Sequence, residues 1–299
     1  MTAPTKTLTA VPTKDRALPR ASLWWLAARR FARNRLALVS VVVFLAILIG
    51  AFGAPLLAPY DYAQANFTEI WKPPSSAHWL GTDKIGRDVF SRLLYGTRTS
   101  LVVGFGTQAI VLTVGISLGA LAGTAGGTVD QIIMRFVDVV ASFPTLLFAI
   151  LAMAVLGSNV RNLILSLAVS SWVITCQLTR AQILSLRERD FIVASQSFGA
   201  RRRWIIVQHL IPNIIPPLIV NSTLAIPSYI VAEAGLGFLG IGIMPPTPSL
   251  GQLVQEASVY LISHPTYMLY TALTLAILIL SIAFIGDGLR EALDPRVLT

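Results

Sequence analysis

The chain has 299 residues, of which 55% are apolar and only 12% charged, and its mean hydropathy is +0.71. A typical soluble domain is about 25% charged, so a globule of this composition lacks the polar groups to cover its surface, and a soluble protein is excluded. The net charge of +9 does not indicate nucleic acid, because the basic residues lie in blocks between long apolar runs, the pattern of a membrane protein with basic cytoplasmic loops. The single cysteine, Cys176, excludes an intrachain disulfide. Three widely separated histidines (His78, His209 and His264) argue against a structural zinc site.

In chain order, residues 1–35 read as a cytoplasmic N-terminal tail and 36–299 as a transmembrane domain. The first 20 residues are rich in Thr, Ala, Pro and Lys, a composition that favours disorder. Residues 23–35 mix Trp24, Trp25, Leu26 and Phe31 with four arginines, as an amphipathic helix lying on the membrane surface does. A bilayer core about 30 Å thick needs roughly 20 helical residues per crossing. Six segments qualify: 36–58, 100–123, 136–156, 162–183, 211–232 and 266–285. The first has too long an apolar run for a cleavable signal sequence and is read as a retained helix. The expected class is therefore all-α and polytopic, with six transmembrane helices.

Lys and Arg set the orientation. Seventeen flank one side and six the other, which places both termini in the cytoplasm. The connections 59–99 and 235–265 are then external, and 184–210 is a cytoplasmic loop.

Several motifs have more than one reading. Gly235 to Gly240 matches G-x-G-x-x-G letter for letter, but a dinucleotide site needs a βαβ unit around it. Here the glycines follow a proline-bearing membrane segment, where they let backbone bend and pack closely. Gly115, Gly119, Gly123 and Gly127 recur every four residues, a spacing that lets helices approach within the chain or across a subunit boundary. No lysine follows a glycine, so a P-loop is absent and ATP cannot bind in that manner. An intramembrane protease built on Asp138 and Asp287 would need two carboxylates close enough to share a proton, whereas Asp287 falls just past the last span. Residues 190–199 read as a short helix with small residues on one face and Gly199 as its stop; a second stretch then runs from Ala200 through Arg201, Arg202, Arg203 and Trp204 to end at Pro212-Asn213. A basic loop of this kind is a positive-inside signal, and its capped helix is also a knob for another protein's groove.

That loop resembles the "EAA" signature of ABC-transporter permeases. Counting from Gly199, Val193, Ala194 and Ser195 take the EAA letters, and His209, Ile211 and Pro212 take those of I-x-L-P. The glutamate is missing, as it often is in peptide-importer permeases. Residues 81–101 resemble the hallmark before the second span of dipeptide/oligopeptide permeases. Residues 233–242 with 245–252 resemble their external loop after span five, and 286–296 their C-terminal tail. The chain is identified as a member of that family, of the C-type subunit, with the type I ABC importer permease fold. Nickel-complex importers share these motifs and are the alternative. An ion-coupled secondary transporter is the rival from another class, but mid-span coupling charges and inverted repeats are not evident.

The resemblance implies half of a translocation pathway in the bacterial inner membrane, completed by a homologous second permease. It implies two ATPase subunits that carry ATP and Mg, an extracytoplasmic solute-binding protein, a peptide substrate and no catalysis or cofactor in this chain. The helix at 190–199 would be the coupling helix. Asp190 starts it, Phe191 and Phe198 are its apolar anchors, and Ala194, Ser195, Gly199 and Ala200 permit close approach, with Arg201, Arg202 and Arg203 at the rim. Asp138, Gln177, Asn221 and Ser222 are polar within apolar spans and are the candidates for the pathway wall.

Overall fold

The computed structural model describes residues 23–293. The tail at 1–22 and the last motif residues, 294–299, lie outside the described residues. Among those described, regular structure is helical, with one isolated bridge between Thr82 and Asp88.

The chain begins with α1 (Leu23–Phe31) and α2 (Arg35–Phe52), followed by a single turn, α3 (Ala54–Leu57). A long loop leads to α4 (Val89–Ala125), then α5 (Gly127–Ala141), α6 (Thr145–Leu156) and α7 (Val160–Arg187). The loop after α7 holds α8 (Asp190–Ser197) and α9 (Arg202–Ile205), which runs through a π-helical turn (Ile206–Leu210) into α10 (Ile211–Phe238). The chain then forms α11 (Leu250–Ser258) and α12 (Pro265–Leu293). Among the described residues, five helices are long and apolar enough to cross a membrane, and six if the bent pair α5–α6 counts as one crossing.

Helix starts follow the sequence's capping residues. Asn34, Asp88, Asn159 and Ser249 each accept a hydrogen bond from the backbone amide three residues on, which satisfies a donor with no partner inside the helix. Small residues set the central packing. A side chain on Gly119 would sit 2.5 Å from the Cys176 carbonyl, and one on Gly115 2.7 Å from Thr175 Cβ. Gly123 faces Ile183 and the Arg180 carbonyl, so three of the four spaced glycines serve contact between α4 and α7 within the chain. Gly127 meets nothing within 4 Å and belongs to the start of α5.

The observed helices depart from the predicted segments in four places. The segment 136–156, expected as one helix, is two helices meeting at 79°. Pro144 explains the break, since it disfavours helical geometry at the residue before it and cannot donate into the ladder. The stretch expected to end at Pro212-Asn213 instead passes straight on. Pro212 lies in the first turn of α10, where its missing N–H is not needed, and Asn213 donates to the His209 carbonyl at 2.7 Å. The second helix starts at Val89, not near residue 100, and its 37 residues extend about 55 Å. Its polar first turns are covered by the long loop. The connection expected at 235–265 contains the tail of α10 and all of α11, whose Leu250, Leu253 and Ala257 are buried in the core. Here Gly237, Gly242 and Gly251 bring backbone against backbone, whereas Gly235 and Gly240 of the glycine-rich segment have open space around them.

Candidate functional site

At one end of the bundle α8 is held out on the loop between α7 and α9. Ile192 roots it, wholly buried among Ile183, Ile205, Leu210 and Ile214. Its end is closed by a Schellman arrangement in which the Ala200 amide donates to the Ser195 carbonyl at 3.1 Å and Gly199 takes φ +75°. Arg187 reaches the Gly123 carbonyl at 2.9 Å and ties the loop to α4. With one apolar residue facing inward, the others point out: Phe191 is 44% exposed and Phe198 91%. Asp190, Ala194, Gly199, Arg201 and Arg203 are also exposed, while Ser195 and Ala200 are half-buried. The Ser195 hydroxyl is engaged with the Phe191 carbonyl at 2.7 Å. For Arg202 the structure gives the backbone position, in α9.

Trp204, which the sequence reading left outside the candidate set, is half exposed and meets His209 edge-on, with ring centroids 4.9 Å apart. His209 also contacts Phe191 at 5.8 Å, so the ring bridges α8 and the base of α10. A second link that sequence reading missed is the two-toothed pair of Arg180 with Asp130, at 2.5 and 2.7 Å, which fastens α7 to α5.

The opposite end carries a buried ionic anchor. Asp83 accepts from Arg87 Nε and from Arg92, each at 2.7 Å. Glu256, on α11, accepts from Arg92 at 2.8 Å and Arg87 at 3.1 Å, and Gln252 donates to it at 3.2 Å. All four charged groups are buried, two of each sign, and together they join the long loop to α4 and α11. Burial pushes the Glu256 carboxyl up, but the hydrogen bond and charge of Arg92, with Arg87 and Lys84, outweigh it and hold Glu256 below its ordinary value. Close by, His78 lies between Asp88 (2.9 Å) and Glu69 (3.3 Å) and stacks on Tyr60. Lys72 and His78 hold the Glu69 carboxyl below the usual range. Trp71 stacks on His264 with 3.8 Å between centroids, which pins the loop to the start of α12. The motif residues 81–92 were read from sequence, but Glu256 was not, because 164 residues separate it from Arg92.

The four pathway candidates are not gathered into one place. Asp138 and Gln177 are exposed on α5 and α7. Asn221 lines a cavity between α6, α7 and α10 and also the groove at the α8 end of α10. Ser222 is half-buried, and its hydroxyl donates to the Leu218 carbonyl of its own helix at 2.6 Å. Among the described residues there is no cluster of three or more His, Cys, Asp or Glu able to hold a metal.

The sequence also matches two family models. Residues 115–299 match the binding-protein-dependent transport system inner membrane component, and residues 22–74 match the N-terminal TM domain of oligopeptide transport permease C. The chain belongs to the binding-protein-dependent transport permeases. It is 37% identical over 276 residues to the dipeptide transport system permease protein DppC of Alkalihalophilus pseudofirmus, covering 92% of this chain and 91% of that one. Identity to the oligopeptide transport system permease protein OppC of Bacillus subtilis is 35%, over 92% and 90% of the two chains. In fold, the permease is similar to a chain of the inward-facing MetNI methionine ABC transporter, with a TM-score of 0.56 at 21% identity, over 68% of this chain and 96% of that one. The permease is thus an all-α, type I ABC importer subunit of the inner membrane with several membrane-spanning helices. Its family is one of transport proteins and not of enzymes, and family membership implies an ATPase and a solute-binding protein as partners in general.

Proposed function

We propose that this permease forms half of the pathway of an ATP-driven importer of di- and oligopeptides, and that α8 is its coupling helix. The peptide substrate rests on likeness to dipeptide and oligopeptide permeases over nine-tenths of the chain. One observation carries the coupling assignment: a short helix rooted by a single buried residue, Ile192, holds out Phe191 and Phe198 beside the exposed Arg201 and Arg203. Apolar anchors within a polar rim are what a partner's groove takes up. Each of two ATPase subunits, carrying ATP and Mg, grips one coupling helix, this one or that of the homologous second permease. In this arrangement α8 and both termini face the cytoplasm, and the long loop and α11 meet the solute-binding protein outside. The His209 contacts pass movement of α8 to the base of α10, and Arg187, at the end of α7 where the loop begins, links that end to α4.

The test is a mild-detergent purification of the tagged full-length chain, co-expressed with its neighbours, followed by intact-complex mass. A second permease and two ATPases are expected, and Phe198→Asp should remove the ATPases while leaving the permease pair. A chain that purifies alone and moves substrate into vesicles without ATP would overturn the reading.

A further inference from the structure

The cavity between the start of α6, the middle of α7 and α10 has a volume of about 300 Å³. Its polar lining includes Thr145, Ser170, Ser171, Thr175, Asn221 and Tyr229, and no charged side chain borders it. Ser170 is the telling residue. Its neighbours on α7 (Ser166, Ser171 and Thr179) each donate to the carbonyl four residues back, at 2.6 to 2.7 Å. The Ser170 hydroxyl makes no such bond and is buried without a partner, in a residue only 9% exposed. A buried hydroxyl is costly to leave unpaired, so this one is set for an acceptor that the chain does not itself provide.

The start of α6 points to the same acceptor. With 12 residues the helix is about 18 Å long, far short of the roughly 30 Å hydrocarbon core. Its Ala149 and Met153 pack on Leu163 and Leu167 near the beginning of α7, which sets its half-buried first residue, Thr145, in the same cavity wall as Ser170. Its N-cap residue, Pro144, makes no side-chain capping bond. The first amides of a helix have no acceptor within it, and they form the positive end of its dipole. An anionic oxygen is the group such an end favours.

We propose that this cavity is a carboxylate-binding stop on the translocation pathway, where the Ser170 hydroxyl and the first amides of α6 take the C-terminal carboxylate of a peptide in transit. Tyr229 and Asn221 complete the donor set. The inference rests on the peptide-importer reading above. The α-carboxylate is common to all unmodified peptides, so a site built for it handles many sequences without selecting among side chains.

The experiment uses the assembled transporter in proteoliposomes with its loaded binding protein outside and ATP inside. Uptake of one peptide is compared as free acid and as C-terminal amide, each at a concentration that saturates the binding protein. In wild type the free acid should move faster. Ser170→Ala should lower the acid-to-amide ratio by about tenfold, the order of losing a hydrogen bond to a charged group, while ATPase stimulation by loaded binding protein is kept. Ser170→Thr, which keeps the hydroxyl, should restore the ratio, and Ser166→Ala, on α7 but outside the cavity, should leave it unchanged. An unaltered ratio in Ser170→Ala overturns the inference alone, as does an equal fall in uptake of acid and amide. A wild-type complex that moves neither form overturns the peptide reading, and the inference with it.

Discussion

Replacing Glu256 with Gln tests whether the ionic anchor holds the long loop to the bundle. Glu256 accepts three guanidinium hydrogen bonds, two from Arg92 and one from Arg87, at 2.8 to 3.2 Å. Arg92 has no spare capacity, as its Nε is already buried without an acceptor. In Glu256→Gln one carboxylate, Asp83, remains for two buried guanidinium groups, and a broken buried pair of this kind costs about 3–5 kcal/mol. Apparent thermal unfolding of the detergent-solubilised complex should fall by at least about 5 °C, taking a few degrees per kcal/mol for a chain of this size. Arg92→Met with Glu256→Leu removes one charge of each sign and leaves the Asp83–Arg87 pair, so this double variant should recover much of the loss. A Glu256→Gln complex that melts with wild type would refute the reasoning. A double variant in which the two single losses simply add would refute it equally.

Acid should weaken the same anchor. Because Glu256 is held below its ordinary value of 4.5, its contribution is complete above that pH and is lost as pH falls through its lower folded-state value. Melting temperature should therefore stay level from neutral pH to about pH 5 and drop below about pH 4.5, with the drop reduced in Glu256→Gln. Gly119→Ala would place a methyl 2.5 Å from the Cys176 carbonyl and should destabilise the chain by about 1–3 kcal/mol, the usual cost of overpacking. Gly235→Ala, with open space around it, should melt within about 1 °C of wild type, since an exposed change away from such contacts is worth little; equal effects at the two glycines would count against the close α4–α7 approach. At Gly199 an added methyl also meets nothing, but its φ of +75° costs a non-glycine residue about 1–2 kcal/mol. Gly199→Ala should thus lower substrate-stimulated ATPase activity several-fold without loss of the permease pair, and unchanged stimulation would argue against α8 as the coupling element.

The membrane class and the family were legible in the sequence because each is written locally. Charge blocks, apolar runs of bilayer length and the motifs around Gly81, Gly199 and Gly286 need no knowledge of what packs against what. The same holds for the helix stop at Gly199. Pro144 too stood in plain view, but whether a proline kinks a helix or breaks it depends on neighbours, and only the packed chain shows a 79° turn that sets Thr145, at the start of α6, on a cavity wall with Ser170. Pairings over long separations were out of reach: Glu256 with Arg92, Arg180 with Asp130, and Trp71 with His264. Composition treats each of these residues as one polar or aromatic count, because distance along the chain carries no information about distance in space. The serines of α7 make the same point, since Ser166, Ser170 and Ser171 are alike as letters, and it is the tertiary structure that returns two hydroxyls to their own helix and leaves Ser170 facing a cavity.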